Sequence, residues 1–241
     1  VSPEFTLTAF TPPEVRDLAI RLTPPTYTRL PVTEQKGPAI TTLRGTRAVF
    51  RIDANVPLGS ASLQFTNGTT LPLRHLTNQL WTTDLSITND NAYAIVLTDT
   101  RGRSSLDRSI HTIRALRDEA PKIDFTQPGQ DIRATATNFV PLVMEATDDF
   151  GIASIQLVFH KLGTPERSVA VPLGAFKDGK LTASAQLALG ELQLRDYELV
   201  AYHAEARDNN DFDGPGIGRS PTYFIEITDK ESNAGPKPKS Q

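Results

Sequence analysis

The feature that most constrains this chain is that part of it occurs twice. Ala48, Phe50, Ile52 and Ala54 fall on Val140, Leu142, Met144 and Ala146, and Ala61-Ser62-Leu63-Gln64-Phe65 falls on Ala153-Ser154-Ile155-Gln156-Leu157, both at one ungapped shift of 92 residues. In each copy apolar residues recur at every second position, which places them on one face of an extended strand. Two such strands joined by a short polar connection make a half-buried β pair. The chain is therefore expected to be two copies of one all-β unit, and its 241 residues leave room for two domains of ~100 residues, each closing its own core. Eighteen prolines, fifteen glycines, a single methionine and Thr-rich runs suit short strands and turns better than helices.

Composition also removes function classes. A net charge of −3 gives no footprint for nucleic acid or an anionic membrane. The absence of cysteine excludes disulfides, thiolate metal sites and thiol nucleophiles, without assigning a compartment. No apolar run approaches the ~20 residues of a membrane span, and no signal peptide opens the sequence, so no direct membrane insertion by this stretch is expected.

Read in order, Ser2-Pro3-Glu4-Phe5-Thr6-Leu7-Thr8 resembles Ser220-Pro221-Thr222-Tyr223-Phe224-Ile225-Glu226-Ile227-Thr228, the last strand of the second copy. Residues 1–13 thus read as the last strand of a preceding repeat, the alternative being a cloning scar. The first sandwich is expected over 14–117, a linker over 118–121, the second sandwich over 122–229 and a disordered, charged, Pro-rich tail over 230–241. Each copy offers seven main strands. In the first these are centred on Val15–Leu22, Arg47–Ala54, Ser60–Phe65, Leu71–Leu73, Trp81–Ile87, Tyr93–Thr98 and Ile110–Leu116, with Asn67-Gly68 as a hairpin turn. The stretch after Pro24-Pro25 reads as an irregular edge passage. Val171-Pro172-Leu173 mirrors Leu71-Pro72-Leu73 at a shift of 100, so the second copy carries extra residues between its third and fourth strands. Tyr93 and Tyr202 each precede an aspartate, Asp99 and Asp208, by six residues, and are expected to be corner tyrosines of the sixth strand. The fold expected is a tandem of immunoglobulin-like or fibronectin-III-like β-sandwiches.

Pro24-Pro25-Thr26-Tyr27-Thr28, Thr147-Asp148-Asp149-Phe150-Gly151-Ile152, and Glu205-Ala206-Arg207-Asp208-Asn209-Asn210 followed by a Gly-rich loop and Ser220-Pro221 resemble the tandem immunoglobulin-like repeats of large, membrane-anchored bacterial envelope proteins, a domain of unknown function. The resemblance covers nearly the whole chain. It implies an extracytoplasmic placement, in the periplasm or at the cell surface, a longer parent chain, other protein domains as partners and no catalytic residues. As an isolated piece the chain is expected to be monomeric.

The side chains that could carry chemistry are few. His75, His111, His160 and His203 lie on different strands or turns without ligand spacing, so they read as structural or surface residues. Gly214-Pro215-Gly216-Ile217-Gly218 lacks the Lys-Ser/Thr of a phosphate loop and reads as a plain loop. Trp81 falls on the core face of its strand rather than on a sugar-stacking platform, and Asn67-Gly68-Thr69 satisfies a glycosylation sequon that the turn explains by itself. The constellation above background is acidic. Asp148 and Asp149 end the second strand of the second copy, and Asp208, Asn210, Asp211 and Asp213 follow its sixth, two connections that share one end of an immunoglobulin-like sandwich. Asp118 and Glu119 of the linker point to the same end. Converging carboxylates are what calcium needs, at roughly six to eight oxygens. Against that stand the turn chemistry of Asp and Asn and the neighbouring Arg117, Lys122, Arg207 and Arg219. Two functions follow: a non-enzymatic spacer or protein-binding module, and a calcium-dependent adhesion or carbohydrate-binding module. An enzyme fragment using a metal at the aspartates is a third.

Overall fold

A computed structural model describes residues 10–228 except 78 and 178. The chain divides into two compact units, Val1–Asp118 and Glu119–Gln241. The expectations for residues 1–9 and for the 230–241 tail lie outside the described residues.

The first unit contains β1 (Val15–Thr23), β2 (Thr33–Gln35), β3 (Ile40–Leu43), β4 (Arg47–Ala54), β5 (Leu58–Phe65), β6 (Thr70–Pro72), β7 (Arg74–His75), β8 (Leu80–Ser86), β9 (Asn91–Asp99) and β10 (His111–Leu116). They form two five-stranded sheets, ordered β2-β1-β4-β8-β7 and β3-β10-β9-β5-β6. The alternation that identified the strands is the alternation that fills the space between the sheets. Ala48, Phe50, Ile52 and Ala54 of β4 meet Leu18, Ile20 and Leu22 of β1 and Trp81 of β8 on one side, and Leu63, Tyr93, Leu97 and Ile113 on the other. Each fully buried Leu, Ile or Phe contributes about 1.5–3 kcal/mol.

The passage after Pro24-Pro25 does lie at the sheet edges, but it is more regular than the prolines suggest. Thr26–Thr28 form a short 3-10 turn, β2 adds to the edge of β1, and β3 then crosses to the opposite sheet, where it runs parallel to β10 with Ile40 opposite Ile113. Prolines end one strand but also let the chain change sheets. Ile40 is fully buried, which supplies the apolar anchor for so short a strand.

The second unit contains β11 (Lys122–Gln127), β12 (Ile132–Ala134), β13 (Phe139–Thr147), β14 (Ile152–Lys161), β15 (Arg167–Val171), β16 (Phe176–Lys177), β17 (Lys180–Ala188), β18 (Leu199–Asp208), β19 (Ile217–Arg219) and β20 (Tyr223–Ile227). One sheet is ordered β11-β13-β17-β16 and the other β12-β20-β18-β14-β15, with β19 also pairing β18. β12 repeats the crossover, running parallel to β20 with Ile132 opposite Ile225.

The hydrogen-bond registers correct the repeat itself. Ile52 lies opposite Trp81 and Ala146 opposite Leu181, while Phe65 lies opposite Tyr93 and Phe159 opposite Tyr202. The equivalent of Ile52 is thus Ala146, and that of Phe65 is Phe159, a shift of 94 rather than 92. Two residues is one full period of a strand, so the sequence match slid along the ladder without exchanging the buried and exposed faces.

The tyrosine expectation also changes. Tyr93 and Tyr202 are equivalent and fully buried on β9 and β18, but neither is a corner tyrosine. The Tyr93 hydroxyl donates to the Pro38 carbonyl at 2.6 Å, on the crossing passage 55 residues away, and packs edge-on to Phe50 at 5.5 Å. Tyr202 packs edge-on to Phe125 at 5.1 Å, and its buried hydroxyl has no hydrogen-bond partner among the described residues.

These two phenols respond oppositely to the same substitution. Tyr93→Phe removes a made hydrogen bond and is expected to cost its unit about 1 kcal/mol, whereas Tyr202→Phe removes a buried, unpartnered hydroxyl and is expected to be neutral or stabilising. Chemical denaturation of both variants checks this, with a stabilised Tyr93→Phe as the contrary result. Burial pushes both phenols well above their ordinary 10.0. An acid whose folded pKa is raised stabilises fully below its unfolded pKa, so stability should hold up to pH 10.0 and decline as pH rises beyond it.

Candidate functional site

The acidic residues of the second unit sit on two loops that meet. The loop between β13 and β14 is shaped by Asp148, whose Oδ1 accepts from the Phe150 N–H at 2.9 Å and the Gly151 N–H at 2.6 Å. The loop after β18 joins it: the Asn209 side-chain amide donates to the Phe150 carbonyl at 3.1 Å, and the Asn209 N–H donates to the Gly151 carbonyl at 3.2 Å. Asp148 and Asp208 are thereby brought to one place, and Asp149 lies beside them.

Asp208 organises the second loop from its root. It is 2% exposed at the end of β18, and its Oδ1 accepts from the Asn210 N–H and the Gly216 N–H, both at 3.0 Å; Oδ2 shares the Gly216 donor. Asn210, also buried, repeats the device one turn on, its Oδ1 accepting from the Phe212 and Asp213 N–H groups at 2.9 and 3.1 Å. Gly216 has to be glycine, because a Cβ there would lie 2.6 Å from the Asp208 carboxylate and 3.0 Å from the Ala120 Cα. Next to it, a Cβ on Gly218 would stand 1.7 Å from the Pro121 carbonyl oxygen. Thus Asp148 Oδ1, both carboxylate oxygens of Asp208 and Asn210 Oδ1 are engaged by backbone donors. Asp211 is exposed at the loop tip and Asp213 stands beyond it. Asp118 and Glu119 fall on either side of the division between the two units.

One carboxylate oxygen stands apart. Asp148 Oδ2 is buried and has no hydrogen-bond partner among the described residues. Burial raises the Asp148 pKa, and the charges of Asp149 and Asp208 add to the rise against the lowering effect of the Gly151 and Phe150 N–H groups. Among the described residues no group of three or more His, Cys, Asp or Glu is disposed to hold a metal.

The first unit explains the shared Tyr-to-Asp spacing. Asp99, 5% exposed at the end of β9, accepts from the Arg101 and Arg103 N–H groups at 2.9 Å each and pairs with the Arg103 guanidinium at 2.7 Å. The Arg103 backbone N–H first, then the Arg103 guanidinium and the Arg101 N–H, hold its carboxyl below the ordinary carboxylate value against the opposing effect of desolvation. Asp99 and Asp208 do the same work in the two units: a buried carboxylate at the end of the strand turns the following loop. In each loop a buried serine then exchanges two hydrogen bonds with that strand, Ser105 with Leu97 and Ser220 with Ala204. The sequence marks both aspartates and the Ser220-Pro221 pair, but no local pattern gives Ser105 or Ser220 this bonding role.

Of the histidines, His75 packs on Trp81 at 5.1 Å between ring centres and His111 on Tyr93 at 5.5 Å, while His203 Nε2 lies 3.5 Å from Glu205, which Arg219 also pairs at 2.9 Å. Trp81 is buried in the core. Asn67 Oδ1 accepts from the Thr69 N–H at 3.1 Å and the Thr69 hydroxyl at 2.7 Å across the exposed turn.

The sheet orders, the parallel crossing strand and the paired cores define the class: an all-β chain of two immunoglobulin-like or fibronectin-III-like sandwiches. No protein-family model matches it, and no curated protein sequence does. Solved structures do. It is similar to the fibronectin(III)-like modules of Clostridium thermocellum CbhA at 12% identity, covering 79% of this chain and 90% of that one, with a TM-score of 0.33. It is similar to a 1.5-MDa bacterial ice-binding adhesin at 10% identity over 89% and 88%, TM-score 0.34, and to a chimeric titin Z1Z2 tandem at 13% identity over 79% and 95%, TM-score 0.27.

The loop geometry makes a contrast that mutation can read. Asp208→Ala strands buried N–H groups and is expected to cost the second unit about 2–3 kcal/mol, while Asp211→Ala, at an exposed tip, should stay within about 0.5 kcal/mol. Asp148→Asn keeps the Oδ1 acceptor and removes a charge that burial disfavours. Because the raised pKa means stability lost as pH climbs through the folded value, this variant should be at least as stable as the parent at neutral pH and indistinguishable from it in acid. Melting curves at the two pH values test it, and a marked loss at neutral pH would overturn the assignment.

Proposed function

We propose that the chain is a non-enzymatic, extracytoplasmic structural or interaction module, a spacer or protein-binding pair of immunoglobulin-like units within a larger membrane-anchored bacterial protein. The observation that carries this reading is the serial repetition of one self-closed sandwich, each unit burying its own core and using the same buried aspartate to set the loop after β9 or β18. A scaffold repeated in series presents loops and sheet faces to neighbouring domains, of the same chain or of a partner, and needs no reaction centre to do so. The resemblance of Thr147-Asp148-Asp149-Phe150-Gly151-Ile152 and Glu205–Asn210 to bacterial envelope repeats supports the placement and the longer parent. Fractionation of cells carrying the parent protein, with a protease or biotin label added from outside, tests it: the chain is expected in the envelope fraction, and a cytosolic chain would sink the placement.

A second reading is a calcium-dependent adhesion or carbohydrate-binding module, favoured by one observation, the buried and unpartnered Asp148 Oδ2 beside Asp149 and Asp208. In it Asp148, Asp149, Asp208, Asn210, Asp211 and Asp213 supply the oxygens. A ligand that binds only the folded state raises stability by RT ln(1 + [L]/Kd), so millimolar calcium added to chelator-treated protein separates the two. The spacer reading expects an unchanged melting temperature; a rise that Asp148→Asn abolishes would replace it with the calcium reading.

A further inference from the structure

The two units close their sandwiches differently at one seam, and the difference leaves an opening in the first. In the second unit the connection after β18 returns to it as β19, with Glu205 opposite Arg219 and Arg207 opposite Ile217, and Gly216 and Gly218 press against Ala120 and Pro121 with no room for a Cβ. The first unit has no such glycine pair. After Ser105 exchanges its two bonds with Leu97, the chain leaves the ladder and rejoins it only at His111, opposite Tyr93. The excursion is marked by Leu106 and Ile110, 74% and 63% exposed.

Behind that excursion lies a cavity of about 380 Å³. Its floor is apolar core, Leu18, Ile95 and Leu97, with Val15 and Pro38 at the sides; its rim carries Glu14, Lys36, Asp107 and His111. The volume lies at the small end of the ~300–1,000 Å³ of ligand pockets, and an apolar floor under a few polar groups is their usual chemistry.

The rim is held in place by hydrogen bonds that leave out the Lys36 and Glu14 side chains, whereas Asp107 uses one carboxylate oxygen. The lip bearing Lys36 is fixed by the Gln35 amide, which donates to the Gly37 and Ala39 carbonyls at 2.7 Å each, and by Tyr93 donating to Pro38. Glu14 is pinned through its backbone, its N–H donating to Asn55 Oδ1 at 2.8 Å and its carbonyl accepting the Asn55 N–H at 3.1 Å. On the opposite lip Asp107 Oδ1 accepts from the Ser109 N–H and hydroxyl at 2.8 and 2.6 Å. Such preformed sites lose little entropy on binding.

We propose that this seam of the first unit is a binding site for a small zwitterionic amphiphile, of which a free apolar amino acid is the simplest example: its apolar side chain rests on Leu18, Ile95 and Leu97, its carboxylate faces Lys36, and its ammonium faces Glu14 or Asp107. Rim charges of both signs select a ligand with both, whereas the floor selects for an apolar body. This site is separate from the acidic loops of the second unit and does not depend on the module reading.

Methyl NMR of the whole chain titrated with phenylalanine tests the assignment, with phenethylamine, phenylpropionate and phenylethanol as the cation-only, anion-only and uncharged counterparts. Phenylalanine is expected to shift the methyls of Val15, Leu18, Ile95 and Leu97. Lys36→Ala and Glu14→Gln, both at exposed side chains, should each weaken binding about two- to fivefold, the range of a solvent-exposed ion pair. Ser109→Trp on the lip should block binding, although it also removes the hydroxyl bond to Asp107, and Val15→Trp, which keeps that bond, gives an independent plug that should block binding as well. No methyl shift with phenylalanine, or equal binding by any one of the three counterparts, overturns the proposal.

Discussion

Neither sheet of either unit can exist alone, since each has one face of alternating apolar side chains that only the other sheet covers. That mutual burial is the constraint on which everything else rests. In the first unit Phe50, Ile52 and Ile20 from one sheet meet Leu63, Tyr93 and Leu97 from the other, and in the second Leu142, Met144 and Phe125 meet Leu157, Tyr202 and Ile225. A pair of facing sheets has open sides, so the strand that crosses between them, β3 or β12, belongs to the same requirement: it ties the two layers at the side where the chain enters.

How much of this was legible in the sequence depended on the length over which a signal persisted. β4, β9 and β13 alternate over eight or more residues, and such runs read correctly. β3 and β12 offer four and three residues, each anchored by a single isoleucine, and no period can be read over so short a span. The repeat was found two residues out of register, because a period of two makes every even slip look equally good to a pattern of apolar residues. Only the hydrogen-bonded partners, Trp81 with Ile52 and Leu181 with Ala146, tell the slips apart.

The acidic constellation teaches a related lesson about counting carboxylates. From the sequence, Asp208, Asn210 and Asp148 looked like oxygens available to an ion. In place, Asp208 and Asn210 sit at the start of a loop and take in N–H groups that would otherwise be buried without partners, which is the common work of Asx residues in turns. The spacing between tyrosine and aspartate carried real information, but about loop construction: the tyrosine fixes the strand in the core and the aspartate turns the chain as it leaves.

The glycine seam of the second unit constrains how this sequence can vary. At Gly218 the obstacle to a side chain is a main-chain carbonyl, so no change of neighbouring residues can make room; a bulkier residue there has to move the strand itself. Drift can repack Leu, Ile and Val between the sheets and still preserve the fold, but the two glycines admit no such exchange. Descendants of this unit that lose them would gain an opening where their ancestor was sealed, so a substitution that adds atoms would, in effect, remove a wall.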